Sequence, residues 1–376
     1  MRILYVSTIS NTMSFFVPHI EMLVEAGHIV DMACAIQMPI PERLINLGCH
    51  VHEISFTRKP LSRGNIKAIQ GLRDLIICGK YDIVHTHTPN ASVCVRWVCR
   101  KTKSVKVIYT AHGFHFYIGA PILNWLVYYP IERFLARYTD VLITVNKEDY
   151  RCARKFKARK VEYIPGVGVN TEKFANTVID RAAKRSEIGI PDEAVVLMSV
   201  GELNKNKNHQ VIIRALAELK NEKIHYVIVG SGILHNSLIS LSKKLRVDDK
   251  LHFLGFRQDV HEIYKAADIY CHPSLREGLP VALIEATAAG LPCVVSLIRG
   301  NSDIVEKVES AYPTQVADIS GFAWNISAII QQNNAYMYSN KYDISKVKLF
   351  DIKCVLSRYM DIYNTLTKAS FLIETK

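Results

Sequence analysis

The sequence predicts an α/β fold built as two doubly wound, parallel-sheet domains. Three observations carry this. Short apolar runs such as RILYVST, YDIVHT, KVIYTA, AVVLMSV and HYVIV alternate with amphipathic, helix-length segments along the chain. The 376 residues are 49% hydrophobic and 22% charged, an ordinary globular composition with enough length for two domains. A glycine-bearing stretch near the middle, Gly166-Val167-Gly168-Val169-Asn170, interrupts the alternation and is the best linker.

In order, Arg2–Thr8 is the first strand, a helix follows from Phe15 to Ala26, and His28–Ala35 is the second strand. The first turn, STISNTMS, lacks G-x-G-x-x-G, so a dinucleotide-binding reading has no support. Val51–Ile54, Tyr81–Thr86, Lys106–Ala111, Val141–Val145 and Val161–Pro165 continue as strands, with helices over 65–79, 91–100 and 147–156 between them. Ligands of such sheets bind beyond the C-terminal strand ends, and His87 and His112 fall at that edge. His85, His87, His112 and His115 have zinc-like spacings, but no carboxylate completes a ligand set, so hydrogen bonding to substrates is the preferred use. Between His112 and Arg137 lie Phe114, Phe116, Tyr117, Trp125, Tyr128, Tyr129 and Phe134, with Pro121, Asn124 and Pro130 expected to break the segment. It is too interrupted to span a bilayer. Its aromatics beside Arg133 and Arg137 suit a membrane surface or a lipid-like acceptor as well as they suit a helix pair packed on the sheet.

The second half repeats the pattern. Strands are expected at 194–200, 225–229, 251–253, 268–271 and 293–296, with helices at 209–219, after Gly230-Ser231-Gly232, and at 260–267. Residues 312–349 read as a helix and polar loops, and 350–368 as a last amphipathic helix with Val355, Tyr359, Ile362 and Leu366 on one face.

The formal charge is +12 and uneven: residues 1–180 hold 23 Lys and Arg against 14 Asp and Glu. A basic first half implies an anionic partner such as a lipid surface or a pyrophosphate-linked acceptor. No nucleic-acid motif is present, so nucleic acid is not expected. Nine cysteines without a C-x-x-C read as reduced thiols. The N-terminus turns polar too soon for a signal peptide, and no run is long enough to cross a membrane. A cytoplasmic location at the inner face of the cell membrane is therefore expected.

The most informative stretch is 268–296, DIYCHPSLREGLPVALIEATAAGLPCVVS. Glu277 precedes a helix opened by Pro280, and Glu285 lies about 1.5 turns inside it, roughly 7–8 Å further along the axis. The helix N-terminus between them is a seat for phosphate, which a carboxylate repels. Each carboxylate instead accepts hydroxyl pairs, and a ligand with hydroxyls at both ends and phosphates between is a nucleotide-sugar. Spacing alone fits two solvent-facing glutamates better.

This stretch closely resembles the signature of retaining glycosyltransferase family 4. The resemblance implies the GT-B arrangement, two Rossmann-like domains facing a cleft, spanning 1–168 and 169–349, with a C-terminal helix, 350–376, packing back on the first. It implies that Glu277 contacts the donor sugar and Glu285 the ribose, with His112 beside the sugar. Lys207 matches a diphosphate-binding Lys, but the family's Arg is replaced by Glu202, so Lys205 or Arg276 is expected to compensate. Phe256 and Arg257 are implied at the nucleobase, and Gly230, Gly278 and Leu279 along the donor. A Gly-rich first loop common in the family is missing here. No cofactor is implied, and metal-independent catalysis is expected. The implied partners are a nucleotide-sugar donor, probed first as a UDP-sugar, a lipid-linked saccharide acceptor and an anionic membrane surface. Two alternatives stay open: an epimerase of the same fold, and a non-catalytic nucleotide-sugar-binding subunit.

Overall fold

A computed structural model of the chain describes residues 1–57, 64–102, 104–333 and 344–374. The chain divides into two compact units, Met1–Val167 with Lys353–Lys376, and Gly168–Ile352.

The first unit holds a seven-stranded sheet of β1 (Arg2–Ile9), β2 (Ile29–Ala35), β3 (Val51–Glu53), β4 (Ile83–Thr86), β5 (Lys106–Ala111), β6 (Val141–Thr144) and β7 (Lys160–Tyr163). Their order is β3-β2-β1-β4-β5-β6-β7, and every pairing is parallel. Parallel sheets need helices on both faces, so their central strands are buried throughout. All four residues of β4 and of β6 are buried. The period of two then divides the side chains: Ile3 and Tyr5 enter one core and Leu4 and Val6 the other. The first of these cores is completed by Val355, Tyr359, Ile362 and Tyr363 of the helix Ile352–Glu374, with Leu366 packed against it.

The second unit holds β8 (Val195–Val200), β9 (Ile224–Val229), β10 (Leu251–Gly255), β11 (Ile269–His272), β12 (Cys293–Ser296) and β13 (Ala311–Thr314) in the order β10-β9-β8-β11-β12-β13, again parallel. Val196 and Met198 of β8 face one core while Leu197 faces the other.

Several boundaries differ from expectation for local reasons. The first helix begins as a 3-10 turn, Ser10–Phe16, before Val17–Glu25, where Pro18 sits in the first α-turn. Asn124 and Pro130 do not break the aromatic segment: Pro121 is the N-cap of one continuous helix, Ile122–Leu135, with Pro130 inside it. Buried tertiary contacts override the local cost, since Glu132 of this helix lies 2.9 Å from Arg96, whose guanidinium stacks 4.3 Å over Tyr109. Strand β13 was hidden in a stretch expected to be helix and loop; Pro313 and its neighbours pair beside β12 at the sheet edge, where a missing N–H is tolerated. Part of that stretch, 334–343, lies outside the described residues. Among the described residues the cysteines are free, and no helix is long and apolar enough to cross a membrane.

Candidate active site

In each sheet the strand order reverses once, between β1 and β4 and between β8 and β11. Loops leaving the C-terminal ends of such adjacent strands diverge and open a crevice. In the second unit those two loops carry Lys207 and Glu277.

The loop after β8 is shaped for Lys207. Gly201 has φ at +154°, and a Cβ there would lie 2.9 Å from Lys207 Cε, so a larger residue would strain the backbone and displace the lysine stem. Asn204 Oδ1 accepts from the Lys207 N–H at 3.0 Å and closes the turn. Asn206 and Asn208 then lace this loop to the one after β11. Asn206 Nδ2 donates to the Arg276 carbonyl (2.9 Å), the Leu275 N–H donates to the Asn206 carbonyl (2.8 Å), and Asn208 Nδ2 donates to the Pro273 carbonyl (3.2 Å). The lacing brings Lys207 Nζ within 2.7 Å of Glu277 Oε1.

Glu277 is mostly shielded from solvent, and a second group reaches the same oxygen: His272 Nε2, 3.3 Å from Oε1. His272 is the last residue of β11 and fully enclosed, with Tyr270 OH 3.1 Å from Nδ1 and Ser274 Oγ 3.3 Å from Nε2. Burial pushes the Glu277 carboxyl up, but the His272 hydrogen bond and the Lys207 charge more than offset it and hold the group well below the ordinary carboxylate range. Burial pushes the imidazole of His272 down, against the pull of Glu277, so the ring is neutral at pH 7. Glu277 is thus an ionised, fixed acceptor.

The helix after Glu277 runs Val281–Ala288, with Pro280 as its N-cap, one position earlier than the first turn expected for it. It ends in paired bonds from the Gly290 N–H to the Thr287 carbonyl and from the Leu291 N–H to the Ala286 carbonyl, which fix its length. Glu285 accepts from Tyr264 OH at 3.2 Å. Burial dominates here and pushes its carboxyl up to about 7. Gly278 and Leu279 enter the helix directly against Gly300: with φ at +79°, a Cβ on Gly300 would meet the Gly278 carbonyl oxygen at 2.4 Å.

The remaining positions expected along the donor are arranged less tightly. Gly230, with φ at +141°, presses on the loop after β8, where a Cβ would meet the Gly201 carbonyl oxygen at 2.0 Å. Phe256 is 81% exposed. Arg257 turns its guanidinium to Asp259 and Glu187, with Nε 2.8 Å from Asp259 Oδ1. Lys205, Arg276 and Glu202 are exposed on the two laced loops, and Glu202 Oε2 accepts from Asn204 Nδ2 at 3.0 Å.

In the first unit the corresponding edge is rich in histidine. Thr8, near the end of β1, and Thr88, just after β4, join across the switch point through hydroxyls 2.6 Å apart. His87 Nδ1 lies 3.3 Å from His112 Nε2. Phe16 and Tyr5 rings pack 4.0 and 4.8 Å from His87. His85 binds Tyr363 OH through Nδ1 (2.6 Å) and Thr110 Oγ1 through Nε2 (2.9 Å). Burial pushes His112 down to about 4 and His87 well below its ordinary value, so both are neutral donors or acceptors. His115 is apart from them, stacked on Tyr128 at 4.6 Å. Among the described residues no three His, Cys, Asp or Glu side chains converge in a group able to hold a metal.

His272, Asn206, Asn208, Tyr264 and Gly300 were not singled out from the sequence. The signal for His272 was present, since one more strand residue turns it inward, but His-Pro-Ser reads locally as a loop.

Residues 180–345 match the family described as glycosyl transferases group 1, and residues 2–146 match the glycosyl transferase 4-like family. These matches and the two parallel-sheet domains define a glycosyltransferase of the GT-B class with a nucleotide-sugar-binding fold. EpsD of Bacillus subtilis is 34% identical over 339 residues, covering 87% of each chain. The UDP-Gal:alpha-D-GlcNAc-diphosphoundecaprenol alpha-1,3-galactosyltransferase of Escherichia coli is 34% identical over 275 residues, covering 71% of this chain and 70% of its own. HepE of Anabaena, solved in complex with UDP, shares the fold at 18% identity, with a TM-score of 0.77 over 97% of this chain and 100% of that one. The chain belongs to the group 1 glycosyl transferases.

Proposed function

We propose that this protein moves a sugar, with retention, from a UDP-linked donor to a hydroxyl of a polyprenyl-diphosphate-linked saccharide in bacterial surface polysaccharide synthesis. The observation that carries the reading is the Lys207–Glu277 pair, 2.7 Å apart at the switch point and beside a helix N-terminus. The lysine and the first-turn N–H groups suit the donor diphosphate, and the carboxylate suits the sugar hydroxyls. Glu285 takes the ribose hydroxyls, with Gly230, Gly278, Leu279, Phe256 and Arg257 along the nucleotide. Because Lys207 is already neutralised by Glu277, Lys205 and Arg276 supply the further positive charge that Glu202 does not.

In the transfer step the acceptor oxygen bonds to the sugar C1 on the face from which the diphosphate departs. The C1–O(phosphate) bond breaks with its electron pair, and the leaving β-phosphate takes the acceptor proton. Neither a protein nucleophile nor a metal enters this scheme, and rate comes from positioning and from charge stabilisation on the diphosphate. His112 and His87, neutral at the edge of the first sheet, orient hydroxyls. The lipid-linked acceptor and the UDP donor draw support from the E. coli relative, whose name specifies both for that enzyme.

The anionic membrane surface completes the reading. Ile118, before the aromatic helix, and Ile122, Leu123 and Leu126, in its first turns, are 82%, 77%, 68% and 68% exposed. Arg133 and Arg137 are exposed toward its end.

The test incubates the protein with UDP-galactose, UDP-glucose or UDP-N-acetylglucosamine and a GlcNAc-diphosphate-polyprenol, with chelator present. Product mass and anomeric configuration are read out. An acceptor-dependent product of retained configuration is expected from one donor. Donor interconversion without acceptor, an inverted product, or activity lost in chelator and restored only by zinc overturns the proposal.

A further inference from the structure

The two contacts that fix Glu277 both fall on one oxygen. Lys207 Nζ and His272 Nε2 lie 2.7 and 3.3 Å from Oε1, and Oε2 has no protein hydrogen-bond partner among the described residues. A carboxylate held this way keeps the lone pairs of its second oxygen for a ligand. His272 is only 2% exposed, so it cannot touch a substrate through solvent-facing atoms; whatever it does, it does through its neighbours.

We propose that His272 is a positioning residue for sugar transfer: its Nε2–H, oriented by the Tyr270 hydroxyl at Nδ1, fixes Oε1 of Glu277 and presents Oε2 to the donor sugar. This rests on the reading of Glu277 as the sugar-binding carboxylate. The direction of the hydrogen bonds follows from the partners. Nε2 faces Glu277 Oε1 and Ser274 Oγ, each 3.3 Å away; the carboxylate can only accept, so Nε2 carries the proton and Ser274 Oγ is left to accept beside it. Nδ1 is then an acceptor, and the Tyr270 O–H donates to it across 3.1 Å. The groups facing this ring are Tyr270, Ser274, Glu277 and Lys207, with His209, itself neutral through burial, behind Lys207.

A neutral donor is the appropriate clamp. A second cation beside Lys207 would bind the carboxylate more strongly and compete with the sugar hydroxyls that must bind it. A neutral imidazole N–H sets direction while leaving the carboxylate charge for the ligand. The rigid support comes from β11, whose four residues are all buried, so the clamp sits on a strand end rather than on a mobile loop.

The test compares His272→Leu, which removes the donor, with His272→Gln, whose amide N–H can take the place of Nε2–H. Turnover, UDP affinity and the imidazole nitrogen spectrum are measured, with Glu277→Ala alongside. We expect His272→Leu to lose at least about tenfold in kcat while UDP binds within about threefold of the parent, and His272→Gln to recover most of the loss. The nitrogen spectrum of the parent should show a neutral Nε2–H tautomer at neutral pH. Full turnover in His272→Leu, parallel loss of UDP binding and kcat, no rescue by Gln, or an Nδ1–H tautomer each overturns the proposal. The tautomer decides the matter even before a substrate pair is found. If Glu277→Ala retains full turnover, the reading of Glu277 itself has failed. If Glu277→Ala is inactive and His272→Leu is not, only the role of His272 has failed.

Discussion

Glu285 ionises against its surroundings. Its carboxyl is pushed from an ordinary 4.5 to about 7 by burial, with Tyr264 and Lys173 only partly opposing the rise. The sign of the consequence follows directly. Between about pH 4.5 and 7 the unfolded chain has released a proton that the folded chain keeps, so this residue subtracts stability as pH rises through that window. Glu285→Gln should therefore raise the unfolding midpoint by a few degrees at pH 8 and leave it unchanged near pH 4, measured by calorimetry. A hydroxyl pair binds the ionised form better, so UDP affinity of the parent should strengthen as pH climbs through about 7, and the Gln variant should bind UDP about tenfold more weakly without that dependence. Flat stability and affinity across the two pH values would count against the assignment. At this scale the sequence showed much of the site. The two glutamates and Lys207 stood out because their spacing is tied to a strand end and a helix start. His272 did not, because its importance comes from a contact between a strand end and a loop five residues on, which no local pattern records.

Glycines at the ends of elements set the backbone of the site. Gly300 begins the short helix after β12 and touches the Gly278 carbonyl in the loop that carries Glu277. Gly300→Ala would need a left-handed backbone with a Cβ inside 2.4 Å of that oxygen, so the loop must move. The expected cost is more than about 1 kcal/mol of stability, together with weakened UDP binding although no atom of Gly300 need touch the nucleotide. Urea unfolding and UDP titration of this variant check both; a variant that matches the parent in both would show that the loop relaxes freely. Element types were legible where strands were apolar and helices periodic. Element ends were less so. Pro130 failed to end its helix because the buried Arg96–Glu132 contact and the Tyr109 stack hold the last turn in place, and neither partner is near it in sequence.

At the scale of the whole molecule, two parallel sheets were legible because the strand–helix alternation runs twice. The basic bias toward the first half was visible too. Its meaning depends on exposure, which only the structure gives: Ile118, Ile122, Leu123 and Leu126 are exposed to solvent, whereas Phe114, Phe116 and Leu135 of the same aromatic stretch are buried. Replacing Leu123 and Leu126 together by Ser should reduce sedimentation with vesicles containing anionic phospholipid by at least about fivefold, with little change in unfolding midpoint because both residues are already exposed. Arg133→Glu with Arg137→Glu should weaken binding to anionic vesicles and lower its salt dependence. Equal binding to neutral and anionic vesicles by every variant would remove the membrane from the account.

The helix Ile352–Glu374 has a consequence for how the protein is made. Val355, Tyr359, Ile362 and Tyr363, separated in sequence from the rest of their unit by the whole of the second, fill a core begun by Ile3 and Tyr5, and Tyr363 hydrogen-bonds His85. The second unit is a continuous segment, whereas the first is assembled from two, Met1–Val167 and Lys353–Lys376. During synthesis the first unit must therefore wait, its apolar face uncovered, until the helix Ile352–Glu374 has left the ribosome. Completion runs against the order of translation, and the nascent first half is the natural client of a chaperone until then.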